Sequence, residues 1–175
     1  MKKSNMYESS LKQWNPFMGC GFDCVYCEAS FKRQAKRQKN RCVDCYNYIP
    51  HIHTERLTDY LPKTSKDEFI FTCASGDISF CPTIFLLKII KRIKENPNKT
   101  FLIQSKNPKT FNRVEFPDNV ILGITLETNR DNQYSKVSKA PKPTQRIKDF
   151  IKINHPQKMI TIEPVMDFDF DIMLK

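Results

Sequence analysis

The sequence predicts an α/β fold, a partial parallel (β/α) barrel, from three observations. Short apolar runs alternate with helix-patterned segments, which is the signature of βαβ units around a parallel sheet. Five such runs are spaced through the chain. The chain has 175 residues, fewer than the roughly 250 of a closed eight-stranded barrel. Because Lys175 follows soon after the fifth run, the barrel is expected to lack its C-terminal units. One domain over 1–175 is expected, with an irregular Cys- and His-bearing insertion at about 40–62.

The elements are read in chain order. Leu11 to Gly19 carries Trp14, Phe17 and Met18 and reads as a strand that runs into a cysteine loop. Glu28 to Arg41 is rich in helix formers. Glu68 to Cys73 (EFIFTC) is the second strand. Pro82 suits a first helical turn, and Ile84 to Ile93 has a helical apolar pattern that Asn96-Pro97-Asn98 ends. Thr100 to Gln104 is the third strand, followed by a short helix at Pro108 to Phe111. Asn119 to Leu126 is the fourth strand. Pro143 to Ile153 is a helix with Ile147, Phe150 and Ile151 on one face, and Lys158 to Ile162 is the fifth strand.

Composition narrows the class. No apolar run is long enough for a membrane span, since Lys88 and Lys91 break Phe85 to Ile93. No apolar signal core follows Met1-Lys2-Lys3-Ser4-Asn5, so a cytoplasmic protein is expected. The net charge of +10 favours an anionic partner, nucleic acid among them. Seven cysteines are present, five of them between Cys20 and Cys45. In a reducing compartment, such close spacing points to metal rather than to disulfides. Cys73 and Cys81 stand apart and are expected to be small buried residues.

Cys20-Gly-Phe-Asp-Cys24-Val-Tyr-Cys27 spaces three thiols by three and then two residues between a strand and a helix. A short loop of this kind can present three thiolates to an iron–sulfur cluster and leave one iron open. With Tyr26 before the last cysteine, the motif resembles that of the radical S-adenosylmethionine superfamily. Trp14-Asn15-Pro16 and the stretches Phe71 to Phe80, Gln104 to Pro108, Leu122 to Asp131 and Ile162 to Asp169 resemble an uncharacterised, phage-associated branch of it.

The resemblance implies a 4Fe-4S cluster on Cys20, Cys24 and Cys27, with S-adenosylmethionine chelated at the open iron. A one-electron reductant would then drive formation of a 5′-deoxyadenosyl radical that abstracts hydrogen from a substrate the sequence does not identify. It further implies cofactor contacts by Tyr26, by Gly76 and Asp77 in place of the family's Gly-Gly-Glu-like turn, and by Glu127, Asn129 and Arg130 after the fourth strand. Glu163 after the fifth strand is a further candidate. An arginine suits a carboxylate because its fork binds both oxygens.

Two other readings stand beside this one. Cys24-x2-Cys27 and Cys42-x2-Cys45, fourteen residues apart, have the spacing of a four-cysteine zinc site. A zinc-stabilised module could then use the basic run Lys32 to Arg41 as a nucleic-acid face. A barrel that binds a cluster without turnover is the third reading. Cys42, Cys45, His51 and His53 also form Cys-x2-Cys-x5-His-x-His, a soft-ligand set that suits a separate structural zinc.

Overall fold

The computed structural model describes residues 7–132 and 134–169. The amino-terminal stretch Met1 to Asn5 lies outside them. Seven strands are present among the described residues: β1 (Ser10–Trp14), β2 (Phe17–Met18), β3 (His51–Ile52), β4 (Phe69–Thr72), β5 (Phe101–Ser105), β6 (Val120–Leu126) and β7 (Lys158–Ile162). Four α-helical segments accompany them: α1 (Arg33–Ala35), α2 (Val43–Asn47), α3 (Thr83–Lys94) and α4 (Pro143–Ile151).

Five strands form one parallel sheet in the order β1-β4-β5-β6-β7, with β1 and β7 at its edges. Register runs across it from Trp14 to Thr72, Ile103, Leu122 and Lys158. The sheet is thus open, and its strands succeed one another in chain order. All five lie where the apolar runs predict them.

Side-chain alternation gives the sheet two faces. Trp14, Ile70, Phe101, Ile103, Leu122 and Ile124 join the main core with α3 and with Phe111 and Phe150. The helix α3 forms this core because Phe85, Leu86, Ile89, Ile90 and Ile93 recur at helical spacing and are buried. Lys91, Arg92 and Lys94 in its last turn complement the helix dipole. Burial of each such aliphatic side chain contributes about 1.5–3 kcal/mol. The opposite face carries a smaller cluster of Phe69, Phe71, Ala74 and Leu102, with Tyr7 packed against it.

Two predicted elements are broken up. The first strand divides at Asn15-Pro16, where the chain leaves the main sheet for β2, which pairs antiparallel with β3. The predicted helix over 28–41 is a succession of tight and wide turns flanking the single turn of α1. Its residues close the cysteine loop at one end and lead into α2 at the other, so tertiary context overrides its helix propensity.

Because the five strands run the same way, their carboxyl ends gather at one rim. The loops leaving them carry Cys20 to Cys27, Gly76 and Asp77, Lys106, Glu127, and Glu163.

Candidate metal centre and thiol pocket

The insertion between Asn40 and Pro62 folds around four side chains. The ligand atoms of Cys42, Cys45, His51 and His53 all lie within 4.8 Å of one another. Cys42 stands at the amino end of α2, where its Sγ accepts the Cys45 N–H at 3.3 Å. Tyr48 ends that helix in the left-handed region at φ 57° and turns the chain toward β3. The β2–β3 pairing then sets His51 opposite Met18.

Within the cluster, Cys45 Sγ is 3.2 Å from Nε2 of both His51 and His53, and Cys42 Sγ is 3.5 Å from Nε2 of His51. The other ring nitrogens are engaged outward. Nδ1 of His51 meets the Ile49 carbonyl at 2.7 Å, and Nδ1 of His53 meets Glu55 Oε1 at 2.8 Å. Such acceptors hold the proton on Nδ1 and leave the Nε2 lone pair free to ligate. A tetrahedral zinc with bonds of about 2.0–2.3 Å keeps its ligand atoms about 3.3–3.8 Å apart; the donor atoms here lie on either side of that spacing, from 2.8 Å between the two Nε2 atoms to at most 4.8 Å, so a bound zinc would part the two rings slightly. The four-cysteine pairing predicted as an alternative does not form: Cys42 and Cys45 face the two imidazoles, while Cys24 and Cys27 lie elsewhere with Cys20.

Those three thiols line a cavity of about 280 Å³ at the carboxyl rim of the sheet. Tyr26, Gly76, Asp77, Lys106 and Glu163 line it as well. The cysteine loop is fastened from two sides. Gly19 N–H donates to the Ser75 carbonyl at 3.0 Å, and Asp77 N–H donates to the Gly19 carbonyl at 3.1 Å. On the far side Val25 N–H donates to Val137 O at 2.9 Å, and Lys139 N–H donates to Phe22 O at 2.8 Å. Cys24 Sγ also lies 3.1 Å from Ser138 Oγ.

The thiols differ in acidity. Hydrogen bonding with Cys27 holds Cys24 down at about 5, helped against burial by Lys106, Ser138 and Tyr26, and it pushes Cys27 upward. Burial, with Asp77 nearby, pushes Cys20 up to about 12. Burial also raises Glu163, against the pull of Lys106.

The predicted cofactor contacts separate into two groups. Tyr26, Gly76, Asp77 and Glu163 reach the cavity. Gly76 is held there by packing, since a Cβ on it would come within 2.8 Å of the Gly19 carbonyl oxygen. The Asp77 carboxylate accepts from Ser79 N–H and Oγ, Ser105 Oγ and Lys106 N–H, so it ties the β4 loop to the end of β5.

Glu127, Asn129 and Arg130 lie outside the cavity lining. Glu127 is fully buried behind it, accepting from Tyr26, Lys106, Tyr134 and Arg146. Asn129 brackets Asp169 by two hydrogen bonds, and Arg130 pairs with Asp167. These two hold the segment after β7 rather than presenting a free carboxylate clamp.

Sequence reasoning missed Lys106, Tyr134, Ser138 and Arg146. Lys106 falls in the Gln104 to Pro108 stretch, marked above for its resemblance alone. Arg146 sits on α4 in a pattern that reads as a surface helix, yet its guanidinium is fully buried. Cys73 and Cys81 are buried among apolar side chains as predicted.

A family model described as "Protein of unknown function (DUF5131)" matches residues 6–173. The chain belongs to that family. The radical S-adenosylmethionine assignment drawn from the cysteine spacing is thereby corrected: the family that spans the chain is DUF5131, and no radical S-adenosylmethionine family matches. Cys-x3-Cys-x2-Cys is a short pattern, and a loop of three thiols does not by itself carry membership. No curated protein and no solved structure matches the chain. Among the described residues, no helix of this DUF5131 member is long and apolar enough to cross a membrane.

Proposed function

We propose that this DUF5131 protein is a metalloprotein with two thiol-based centres, a structural zinc on Cys42, Cys45, His51 and His53 and an iron–sulfur cluster on Cys20, Cys24 and Cys27. The observation that carries the reading is the Cys2His2 cluster, in which both imidazoles turn Nε2 inward and hold Nδ1 on fixed acceptors. A closed set of four protein ligands suits a structural role, because no position is left for substrate.

The thiol cavity supports the second centre by its chemistry. Three cysteines on one wall suit a cluster with one iron left without a protein ligand. Lys106 offsets the charge of three thiolates, and Glu163 faces the same space. The succession of strands in chain order is the one a parallel barrel uses, which supports a partial barrel with its site at the carboxyl rim. The cluster would supply one-electron chemistry at the iron left without a protein ligand, and S-adenosylmethionine, expected there only from the resemblance of the cysteine motif, is a ligand to test rather than one the cavity selects. In this reading Tyr26 and Lys106 shape the wall, Glu127 holds both in place, and the zinc fixes the segment that carries Tyr48.

Anaerobic purification with zinc, iron and sulfide analysis tests both parts. One zinc per chain is expected, lost in Cys42→Ala and His51→Ala but retained in Cys24→Ala. About four irons and four sulfides are expected, lost in Cys24→Ala but retained in Cys42→Ala. A folded wild-type chain without zinc refutes the first centre, and one that cannot be loaded with iron and sulfide refutes the second. Reductant-dependent formation of 5′-deoxyadenosine by the loaded protein tests turnover.

A further inference from the structure

The segment from Phe31 to Arg41 lies in sequence between the two centres, and of its residues Phe31 alone is among those lining the thiol cavity. Arg33, Lys36, Arg37, Lys39 and Arg41 are all exposed. Lys32 is neutralised by Asp23 and Glu28. Among the described residues, the other five cations form no salt bridge with an acid. A solvated helix face usually intersperses its charges with acids, and this stretch has none between Glu28 and Asp44.

A second feature lies beside these charges. A depression of about 170 Å³ is lined by Phe31, Gln34, Gln38 and Tyr48, with Arg37 the one charged residue in its lining. Phe31 and Tyr48 also line the thiol cavity, so the two spaces share a wall. Their rings stack at a centroid distance of 6.2 Å and 24° between planes, and both are half-buried. Aromatic rings at the mouth of a basic groove are the elements with which single-stranded nucleic acid is bound. Cations take the phosphates, ring faces take the bases, and amides such as Gln34 and Gln38 offer donors and acceptors to base edges.

We infer that this surface binds single-stranded nucleic acid, with the backbone along Arg33 to Arg41 and a base against Phe31 and Tyr48 at the entrance to the thiol cavity. Resting on the reading of that cavity as a reactive centre, the inference assigns it a nucleotide within a polynucleotide as its substrate. An anionic membrane would use the charges together with protruding apolar side chains, whereas Phe31 and Tyr48 are half-buried and line a cavity. The zinc-held turn carrying Tyr48 keeps one wall of the groove in place.

Fluorescence anisotropy of an end-labelled oligothymidylate, titrated with the metal-loaded full chain at several salt concentrations, is the test. Affinity is expected to fall with salt, the logarithmic slope being about −0.7 per neutralised phosphate. Arg33→Glu/Arg37→Glu should weaken binding at least about tenfold and flatten the slope by about 1.4. Phe31→Ala should weaken it about tenfold with the slope unchanged, because stacking is not ionic. Lys63→Glu/Lys66→Glu makes the same change in net charge well away from the cavity and should leave affinity within about threefold. Zinc, iron and circular dichroism measured on each variant keep a folding defect apart from a binding defect.

Binding lost in the groove variants with both metals retained supports the inference. It is overturned if wild type does not bind at about 50 mM salt, if Lys63→Glu/Lys66→Glu is as damaging as the groove pair, or if anionic vesicles bind and the oligonucleotide does not. Metal analysis on the same samples reports separately on the two centres: oligonucleotide binding by a chain that takes no iron would leave the groove standing and remove the cavity chemistry.

Discussion

Glu127 is fully buried and receives two cations and two phenols. Burial raises its carboxyl, but Lys106 and Arg146 outweigh burial and hold it below its ordinary value of 4.5. Its contribution to stability is therefore complete above pH 4.5 and is lost as pH falls through the lower folded value. Glu127→Gln should cost about 3–5 kcal/mol in urea unfolding, because Arg146 is left buried and unpaired. The variant should also lose part of the wild-type decline in stability below pH 4.5. A cost within experimental error would mean that Arg146 finds another partner. At this scale the Cys2His2 set was legible, since its ligands lie within twelve residues and soft donors so close have few other uses. The Glu127 network was not: Lys106, Tyr134 and Arg146 meet only after three separate segments fold, and no local pattern marks a buried guanidinium on an amphipathic helix.

Among the elements, the five strands were legible because each is a short apolar run between turn residues, and α3 because its apolar residues keep a helical period. The stretch 28–41 was not, since its residues favour a helix while the cysteine loop and α2 fix both of its ends. The crossing of the cysteine loop over the turn after β4 depends on two glycines. Gly19 has φ +86°, and a Cβ there would sit 2.1 Å from the Ile49 carbonyl oxygen. Gly76 approaches the Gly19 backbone from the other side. Gly19→Ala should therefore destabilise the chain by more than about 2 kcal/mol. Gly76→Ala should cost less, because its φ is ordinary. Thermal unfolding of the two variants checks the order, and a Gly19→Ala protein as stable as wild type would mean that the loop can move away from β3.

For the molecule as a whole, the two proposed centres stand on supports of different kinds. The proposed zinc would hold an insertion whose regular structure is α2, the two-residue pairing of β3 with β2 and a short 3-10 turn over Thr54–Thr58. The thiol cavity rests on the carboxyl rim of a five-stranded sheet. Chelating the zinc should accelerate amide exchange over 42–56 while β5 and β6 stay protected, as read by mass spectrometry; uniform acceleration would show that the insertion and the sheet unfold as one. The fastenings of the cysteine loop carry a further consequence, for the time course of biosynthesis. Val25 bonds to Val137, Phe22 to Lys139, and Cys24 reaches Ser138 across 114 positions of sequence. A growing chain exposes Cys20, Cys24 and Cys27 early and cannot fasten their loop on this side until 137–139 has left the ribosome. The Cys42 to His53 set is complete within one short span. Metal uptake by the two proposed centres would thus be ordered by contact range, with zinc able to enter once His53 has emerged and a cluster held in its fastened loop only after 137–139 has, and an amino-terminal nascent fragment ending shortly after His53 retains the thiols of the cavity without its wall.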